Sequence, residues 1–360
     1  MKILIAGGGT GGHVFPALAM ARRAMELDAS NEILFVGTRQ GIEARVVEPA
    51  GFDIDYVDFS GFAGKSLWQK GRVLTKLVSS TREALEILVE FKADVVIGVG
   101  GYASLPMLVA AGLKRIPVVL HEQNAWPGLA NRLASRWAKR VCVSMPDVAR
   151  HFHGRPVVLT GNPVRQELFS CRAWQGDQPR LLIFGGSQGA KAINETVLDA
   201  LPLLKQALPE LTIVHQTGEA ALADMVAGYN DRNFDRVTLL PFIDDMAAAY
   251  RDSQLVLCRS GATTVAELAA CGRPAVLVPF PQAAADHQTC NAKVLAEREA
   301  AVLLPQNELT AQRLADELIA LFRDPQRLTE MGRQARLLAA KGAADLILNE
   351  CRHVARKRKK

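Results

Sequence analysis

His13 closes GGGTGGH, residues 7–13, a loop that follows the apolar stretch KILIA and leads into the helical periodicity of VFPALAMARRAM. An imidazole at that point has little core to fill. The positive end of a helix dipole opposes its protonation, so a neutral histidine fit for general-base work is expected. The loop before it aims backbone N–H groups and a helix start at one point, which suits a phosphate. Gly7, Gly9 and Gly12 also fit the G-x-G-x-x-G dinucleotide fingerprint. That reading calls for an acid at the end of the second strand, where EILFVGTRQ offers Thr38 and Arg39 instead. Arg39 keeps an NADP enzyme open, but such an enzyme leaves a second glycine loop, GGSQGA at 185–190, unexplained.

A further constellation lies in CRSGATTVAELAACG, residues 258–272. Ser260, Gly261 and Thr263 fall at a helix start, with Glu267 about one turn in. A carboxylate there accepts hydrogen bonds from ribose hydroxyls, or simply favours the positive end of the helix. His121, His215 and His287 follow strands in VVLHEQN, TIVHQTG and ADHQTCNA, positions that either pack strand ends or line a cleft. No histidine pair has H-E-x-x-H spacing, and the six cysteines form no C-x-x-C pair, so no structural metal and a reducing, cytoplasmic setting are expected.

These residues need a scaffold, and 360 residues are enough for two domains. Short β-branched runs alternate with helical segments, the pattern of parallel sheets covered on both faces: KILIA, EILFVG, DVVIGVG, PVVLHEQ and VVLTG, then RLLIFGG, LTIVHQTG, VTLLPF, LVLCRSG and AVLVPF. The chain also echoes itself: residues 94–120 align with 254–280, Gly101 on Gly261 and Gly112 on Gly272, and KILIAGGGTGG echoes RLLIFGGSQGA. Two doubly wound domains of related topology follow, with a seam after Asn162-Pro163 and ligands at the carboxyl ends of the strands, in the cleft between the domains. Residues 95–113 are uncharged and long enough to test as a membrane span. Their glycines and Pro106 read as strand, turn and helix. The net charge is +6, and Arg352–Lys360 holds six Lys or Arg, a solvated tail or a contact for an anionic surface. In KSLWQKGRVLTKLVSSTR, residues 65–82, Leu67, Trp68, Leu74, Leu77 and Val78 stand among Lys65, Lys70, Arg72, Lys76 and Arg82. Either a core helix or an interfacial membrane patch has that pattern.

GGGTGGHVFPALAMA, GGYASLPMLVAA, PVVLHEQNAWPGLANR, TGNPVR, GGSQGAKAIN, FIDDMAAAY and CRSGATTVAELAACGRPAVLVPFPQAAADHQTCNA follow one another along nearly the whole chain. Together they resemble the MurG family, bacterial UDP-N-acetylglucosamine:lipid I N-acetylglucosaminyltransferases of peptidoglycan synthesis. The resemblance implies an α/β fold of GT-B type, two Rossmann-like doubly wound domains facing across a cleft. Residues 1–163 would take the lipid acceptor and associate with the membrane, 164–341 would bind UDP-N-acetylglucosamine, and 342–360 would cross back to the first domain as a helix with a basic tail. Carried over residue by residue, the binding positions begin with Thr10, Gly11 and Gly12, Asn124 in HEQN, Arg165 in GNPVR, and Ser187 and Gln188 in GGSQG. The backbone of Ile243 in FIDDM would read the uracil edge, and Ala262, Thr263, Thr264, Val265, Ala266 and Glu267 would hold ribose and phosphates. Gln288 would contact the sugar, with His287 beside it where some relatives carry another glutamine.

The implied reaction is one inverting displacement in which charge grows on the β-phosphate, where Arg165 and helix N-termini would stabilise it. His13 is the first choice for the base that takes the acceptor's proton, with Glu122 the alternative. Neither cofactor nor essential metal is implied, and the adjacent Asp244-Asp245 is not a D-x-D motif. The implied partners are UDP-N-acetylglucosamine, lipid I, the anionic cytoplasmic face of the bacterial inner membrane and other cell-wall synthesis proteins, with no nucleic acid. A nucleotide-sugar epimerase of the same fold and a non-catalytic membrane scaffold remain as alternatives.

Overall fold

Apolar runs too short for helices and bounded by glycine become strands, and the longer periodic segments between them become helices. The computed structural model describes residues 1–59, 67–176, 178–186 and 189–359, without the side chains of 67–74, 284 and 357–359. The chain divides into two compact units, Met1–Val164 with Gly342–Lys360, and Arg165–Lys341.

In the first unit the strands are β1 (Lys2–Gly7), β2 (Glu32–Gly37), β3 (Asp53–Tyr56), β4 (Val95–Gly100), β5 (Val118–Glu122), β6 (Arg140–Val143) and β7 (Val157–Leu159). They form one sheet in the order β3-β2-β1-β4-β5-β6-β7, every pair parallel. Its helices are α1 (Gly11–Leu27), α2 (Glu43–Val46), α3 (Leu67–Phe91), α4 (Ser104–Leu113) and α5 (Leu129–Ala134). Alternation along each strand sorts the core into two layers. Leu4, Ala6, Leu34, Val36 and Val96 face a layer with Leu88 of α3 and Met107 of α4. Ile3, Ile5, Ile33, Phe35, Val95 and Ile97 face the opposite layer with Val14, Leu18 and Met20 of α1. Residues 95–113 are thus β4 and α4 inside this core. Among the described residues no helix is long and apolar enough to cross a membrane.

In the second unit β8 (Arg180–Phe184), β9 (Thr212–Gln216), β10 (Val237–Leu240), β11 (Leu255–Cys258), β12 (Ala275–Leu277) and β13 (Ala301–Leu303) form a parallel sheet in the order β10-β9-β8-β11-β12-β13. Around it run α6 (Lys191–Ala207), α7 (Leu222–Asp231), α8 (Met246–Arg251), α9 (Ala262–Cys271), α10 (His287–Ala296), α11 (Ala311–Phe322) and α12 (Pro325–Leu337). The echo in the sequence is therefore structural: β4-α4-β5 corresponds to β11-α9-β12, and β1-α1 to β8-α6. The last helix, α13 (Ala343–Lys359), belongs to the first unit, where Ala344, Ile347, Leu348, Cys351 and Val354 complete the layer under α1. Arg23 of α1 pairs with its Asp345, and Arg140 of β6 with its Glu350, each at 2.7 Å.

Both sheets reverse strand order between their first and fourth strands in sequence, β1 and β4 or β8 and β11, and that reversal is where open parallel sheets hold ligands. The backbone closes tightly there. Gly101, at φ 76°, passes so near the carbonyl of Gly8 that a Cβ would overlap it, and Gly189, at φ 74°, meets the carbonyl of Thr217 in the same way.

Candidate active site

The first glycine loop owes its composition to a neighbour. Glu43 of α2 is 1% exposed, and its carboxylate accepts from Gly9 N at 2.7 Å, Thr38 N at 2.9 Å and Thr38 Oγ1 at 3.1 Å. A Cβ on Gly8, Gly37 or Gly41 would overlap this side chain. The amide of Gly9 is thus bound to an internal anion, and the sequence-based picture of the whole loop as a phosphate cradle does not hold at that position. Thr10 opens α1 with its carbonyl, which accepts from His13 N at 3.1 Å, and its side chain makes no cap. Gly11 and Gly12 form the first turn, with the Phe15 ring against Gly11. His13 is half-buried, its Nδ1 3.1 Å from Gln123 Oε1.

Glu122, at the end of β5, is 1% exposed. Its carboxylate accepts from Asn124 N at 3.1 Å, Asn124 Nδ2 at 3.2 Å, Gly128 N at 3.0 Å and Asn131 Nδ2 at 2.9 Å. A carboxylate held by four donors braces the turn that follows the strand, and it draws the amide of Asn124 into the same brace. His121 is fully buried, and desolvation pushes it down to about 4. His215 is buried as deeply, between Tyr229 Oη at 3.1 Å and Asn194 Oδ1 at 3.2 Å. Both histidines take the packing role rather than a cleft-lining one.

In the second unit Arg165 and Glu267 meet. Arg165 Nη2 donates to Glu267 Oε1 at 3.2 Å, and Tyr250 Oη donates to Glu267 Oε2 at 3.1 Å. Burial raises the Glu267 pKa above its ordinary 4.5, opposed by Arg165 and the Tyr250 hydroxyl. Glu267 lies on α9 with Ala262, Thr263, Thr264, Val265 and Ala266, and the helix starts at Gly261 with no side-chain cap. Asp245, Thr310 and Asp324, by contrast, cap α8, α11 and α12 with their side chains. Ile243, 6% exposed, gives its N–H to Gln216 Oε1 at 3.0 Å, while Gln216 Nε2 donates to the carbonyl of Gly186 at 2.7 Å. One glutamine therefore ties the expected uracil-reading backbone to the second glycine loop. Gln288 of α10 accepts from Phe280 N at 3.0 Å, and its own carbonyl accepts from Ser260 Oγ at 2.8 Å. His287 opens α10 beside Gln288 and is half-buried. Ser187 and Gln188 lie outside the described residues.

Sequence reasoning missed the residues that support these groups: Glu43, Gln123, Gln216, Tyr250 and Arg259. Arg259 donates to the carbonyls of Val278 and Pro279, both at 3.1 Å, and to Gln306 Oε1 at 2.7 Å, holding the loop that leads to α10. The glycines packed around Glu43 were the one signal in the sequence that could have pointed to it. Among the described residues no group of three His, Cys, Asp or Glu side chains is placed to hold a metal.

Two parallel-sheet α/β units, each with a glycine loop and a helix start at its strand-order reversal, define a GT-B architecture of the kind that handles nucleotide sugars. Residues 3–143 match the glycosyltransferase family 28 N-terminal domain and residues 180–347 the glycosyltransferase family 28 C-terminal domain. The chain belongs to glycosyltransferase family 28 and, as its motifs led one to expect, to the MurG family. It is 51% identical over 98% of its length to a protein of Syntrophotalea carbinolica, covering 99% of that protein, which is named UDP-N-acetylglucosamine–N-acetylmuramyl-(pentapeptide) pyrophosphoryl-undecaprenol N-acetylglucosamine transferase. A protein of the same name from Syntrophus aciditrophicus is 44% identical, with 98% of each chain covered. The crystal structure of Acinetobacter baumannii MurG superposes with a TM-score of 0.77 at 36% identity, covering 98% of this chain and 99% of that one. A UDP-GlcNAc 2-epimerase from Neisseria meningitidis shares the fold at 17% identity and a TM-score of 0.67, with 97% of this chain and 99% of that one covered.

Proposed function

We propose that this chain transfers N-acetylglucosamine from UDP-N-acetylglucosamine to the 4-hydroxyl of the N-acetylmuramyl unit of lipid I, with inversion, giving lipid II. The observation that carries this reading is the 51% identity, over 98% of the chain, to a protein bearing that activity in its name. The second unit is the donor half. Glu267 accepts from the ribose hydroxyls and Arg165, 3.2 Å from it, forks onto the diphosphate. The start of α9 directs its dipole at the same group. In the first unit His13 takes the proton from the 4-hydroxyl as its oxygen bonds to C1 of the sugar. The bond from C1 to the β-phosphate oxygen breaks, and UDP leaves with the electron pair. His13 suits this role better than Glu122, whose oxygens are engaged by four donors.

The acceptor's polyprenyl chain stays in a bilayer, so the enzyme works as a peripheral protein on the anionic cytoplasmic face of the inner membrane. Support comes from the cationic and apolar segment at 65–82, of which the structure describes part. Leu77 packs on Phe59, Leu105 and Ala130, whereas Val78 is 73% exposed. Lys65, and the side chains of Leu67, Trp68, Lys70, Arg72 and Leu74, lie outside the described residues. The deciding experiment supplies radiolabelled UDP-N-acetylglucosamine with and without lipid I. Label entering the lipid fraction only when lipid I is present is the expected result. Label remaining on the nucleotide as an epimerised sugar, or no turnover at all, would overturn the reading.

A further inference from the structure

The residue after Glu122 is a glutamine whose amide reaches three groups. His121 and Gln123 lie two residues apart on an extended chain, so their side chains share one face while Glu122 takes the other. Gln123 Nε2 is 2.8 Å from the carbonyl of Val99. A carbonyl only accepts, so the atom facing it is the amide nitrogen, and the orientation of the group is fixed. The same nitrogen is 3.1 Å from His121 Nδ1, which must then accept. The proton of His121 is accordingly on Nε2, and that atom lies 3.2 Å from the carbonyl of Gly161, an acceptor. The remaining end of the amide, Oε1, is 3.1 Å from His13 Nδ1. An amide oxygen cannot donate, so His13 Nδ1 carries a proton.

We infer that Gln123 is a positioning residue that holds His13 as its Nδ1–H tautomer and so puts the basic lone pair on Nε2, while Val99 and His121 hold the glutamine. The inference rests on the proposed role of His13 as the base. Full burial keeps His121 neutral, as the relay requires. Among the described residues, hydrogen bonds place His121, Glu122 on the other face of β5, and Glu43 of α2 beyond the glycine loop at this end of the sheet. His13 is therefore backed by a neutral amide where many catalytic histidines have a carboxylate. The imidazolium formed in the reaction gains no ion pair from this partner and gives its proton back readily.

Nitrogen-15 spectra of the full-length protein labelled in histidine, assigned with His13→Ala, read the tautomer directly. The expected spectrum has a pyrrole-type Nδ1 and a pyridine-type Nε2 for His13, and the reverse pattern would overturn the inference. Activity supplies an independent test. Gln123→Met should lower kcat by about 10- to 100-fold, part of what a general base contributes, with KM for UDP-N-acetylglucosamine unchanged. In the His13→Ala background the same change should cost less than about twofold, because residues acting as one unit are not additive. Equal losses in both backgrounds would reduce Gln123 to a structural role and overturn the inference. Normal turnover by His13→Ala would overturn the base assignment beneath it, an outcome distinguishable because the spectrum still reports the tautomer. In Gln123→Glu, a carboxylate beside Nδ1 should move the acid limb of kcat/KM to higher pH, by about one unit.

Discussion

At the scale of single residues, Glu267 faces opposed demands. Burial favours its neutral form, while Arg165 and Tyr250, and in the proposed donor site a ribose diol, favour the carboxylate. A raised pKa means that protonation begins at a higher pH than for an ordinary glutamate. If Glu267 binds the ribose as proposed, UDP binding should weaken as the pH falls through that value, because the ribose would lose an acceptor. Stability moves the other way, because a carboxyl with a raised folded pKa binds protons more readily folded than unfolded, and protonation therefore favours the fold. Calorimetric titration of UDP across mildly acidic pH should show the affinity falling in the wild type. Glu267→Gln should bind more weakly, by about 1.5–3 kcal/mol, and with a flatter pH profile. Glu122 calls for a different outcome. Its four donors make it a brace, so Glu122→Gln should lower the melting temperature and leave the acid limb of the rate profile in place. Disappearance of that limb would make Glu122 the base. The sequence placed both carboxylates on strand or helix ends, but that Glu122 faces Asn131 and Glu267 faces Tyr250 depends on contacts between residues 9 and 17 positions apart, which local patterns do not encode.

At the scale of elements, α2 is one turn long, yet it sets the path of the loop before α1. Glu43→Gln replaces one acceptor oxygen with a donor and sets it against donors at Gly9 and Thr38. The expected cost is about 1–3 kcal/mol of stability, with faster amide exchange at Gly9 and Thr38 and unchanged UDP affinity. Slow exchange retained at both amides would show that the loop holds its shape without the carboxylate. Strands with long apolar runs were legible, and so was the echo between β4-α4-β5 and β11-α9-β12. Three strands were not. β3 reads DIDY at a sheet edge, where only alternate residues are half-buried, and β6 and β13 are four and three residues long. Their strand character comes from the neighbour they pair with, and so does the site's supporting shell of Gln216 and Gln123.

At the scale of the whole molecule, the net charge of +6 and the basic segments bear on how a protein without a described spanning helix meets a bilayer-bound acceptor. Each basic residue near an anionic surface adds about 1 kcal/mol, an attraction that salt screens. The protein should co-sediment with vesicles containing anionic lipid at low salt, and much less at high salt or with neutral vesicles. Trp68→Ser combined with Leu74→Ser should weaken that binding and the activity on vesicle-borne lipid I while sparing a short-chain soluble acceptor. Equal loss on both acceptors would assign the segment to the core. The placement of α13 carries a consequence for synthesis. Residues 1–164 of the first unit are made before the second unit, but Ile347, Leu348 and Val354 of its inner layer are made after it. The second unit, contiguous from Arg165 to Lys341, can close while the first still has an open apolar face along α1. Ribosome-bound chains arrested before Gly342 should therefore resist protease in the second unit and be cut in the first, and chains extended through Gly342–Lys360 should be protected in both. On the proposed assignment, the half with the base is then completed after the half with the donor site.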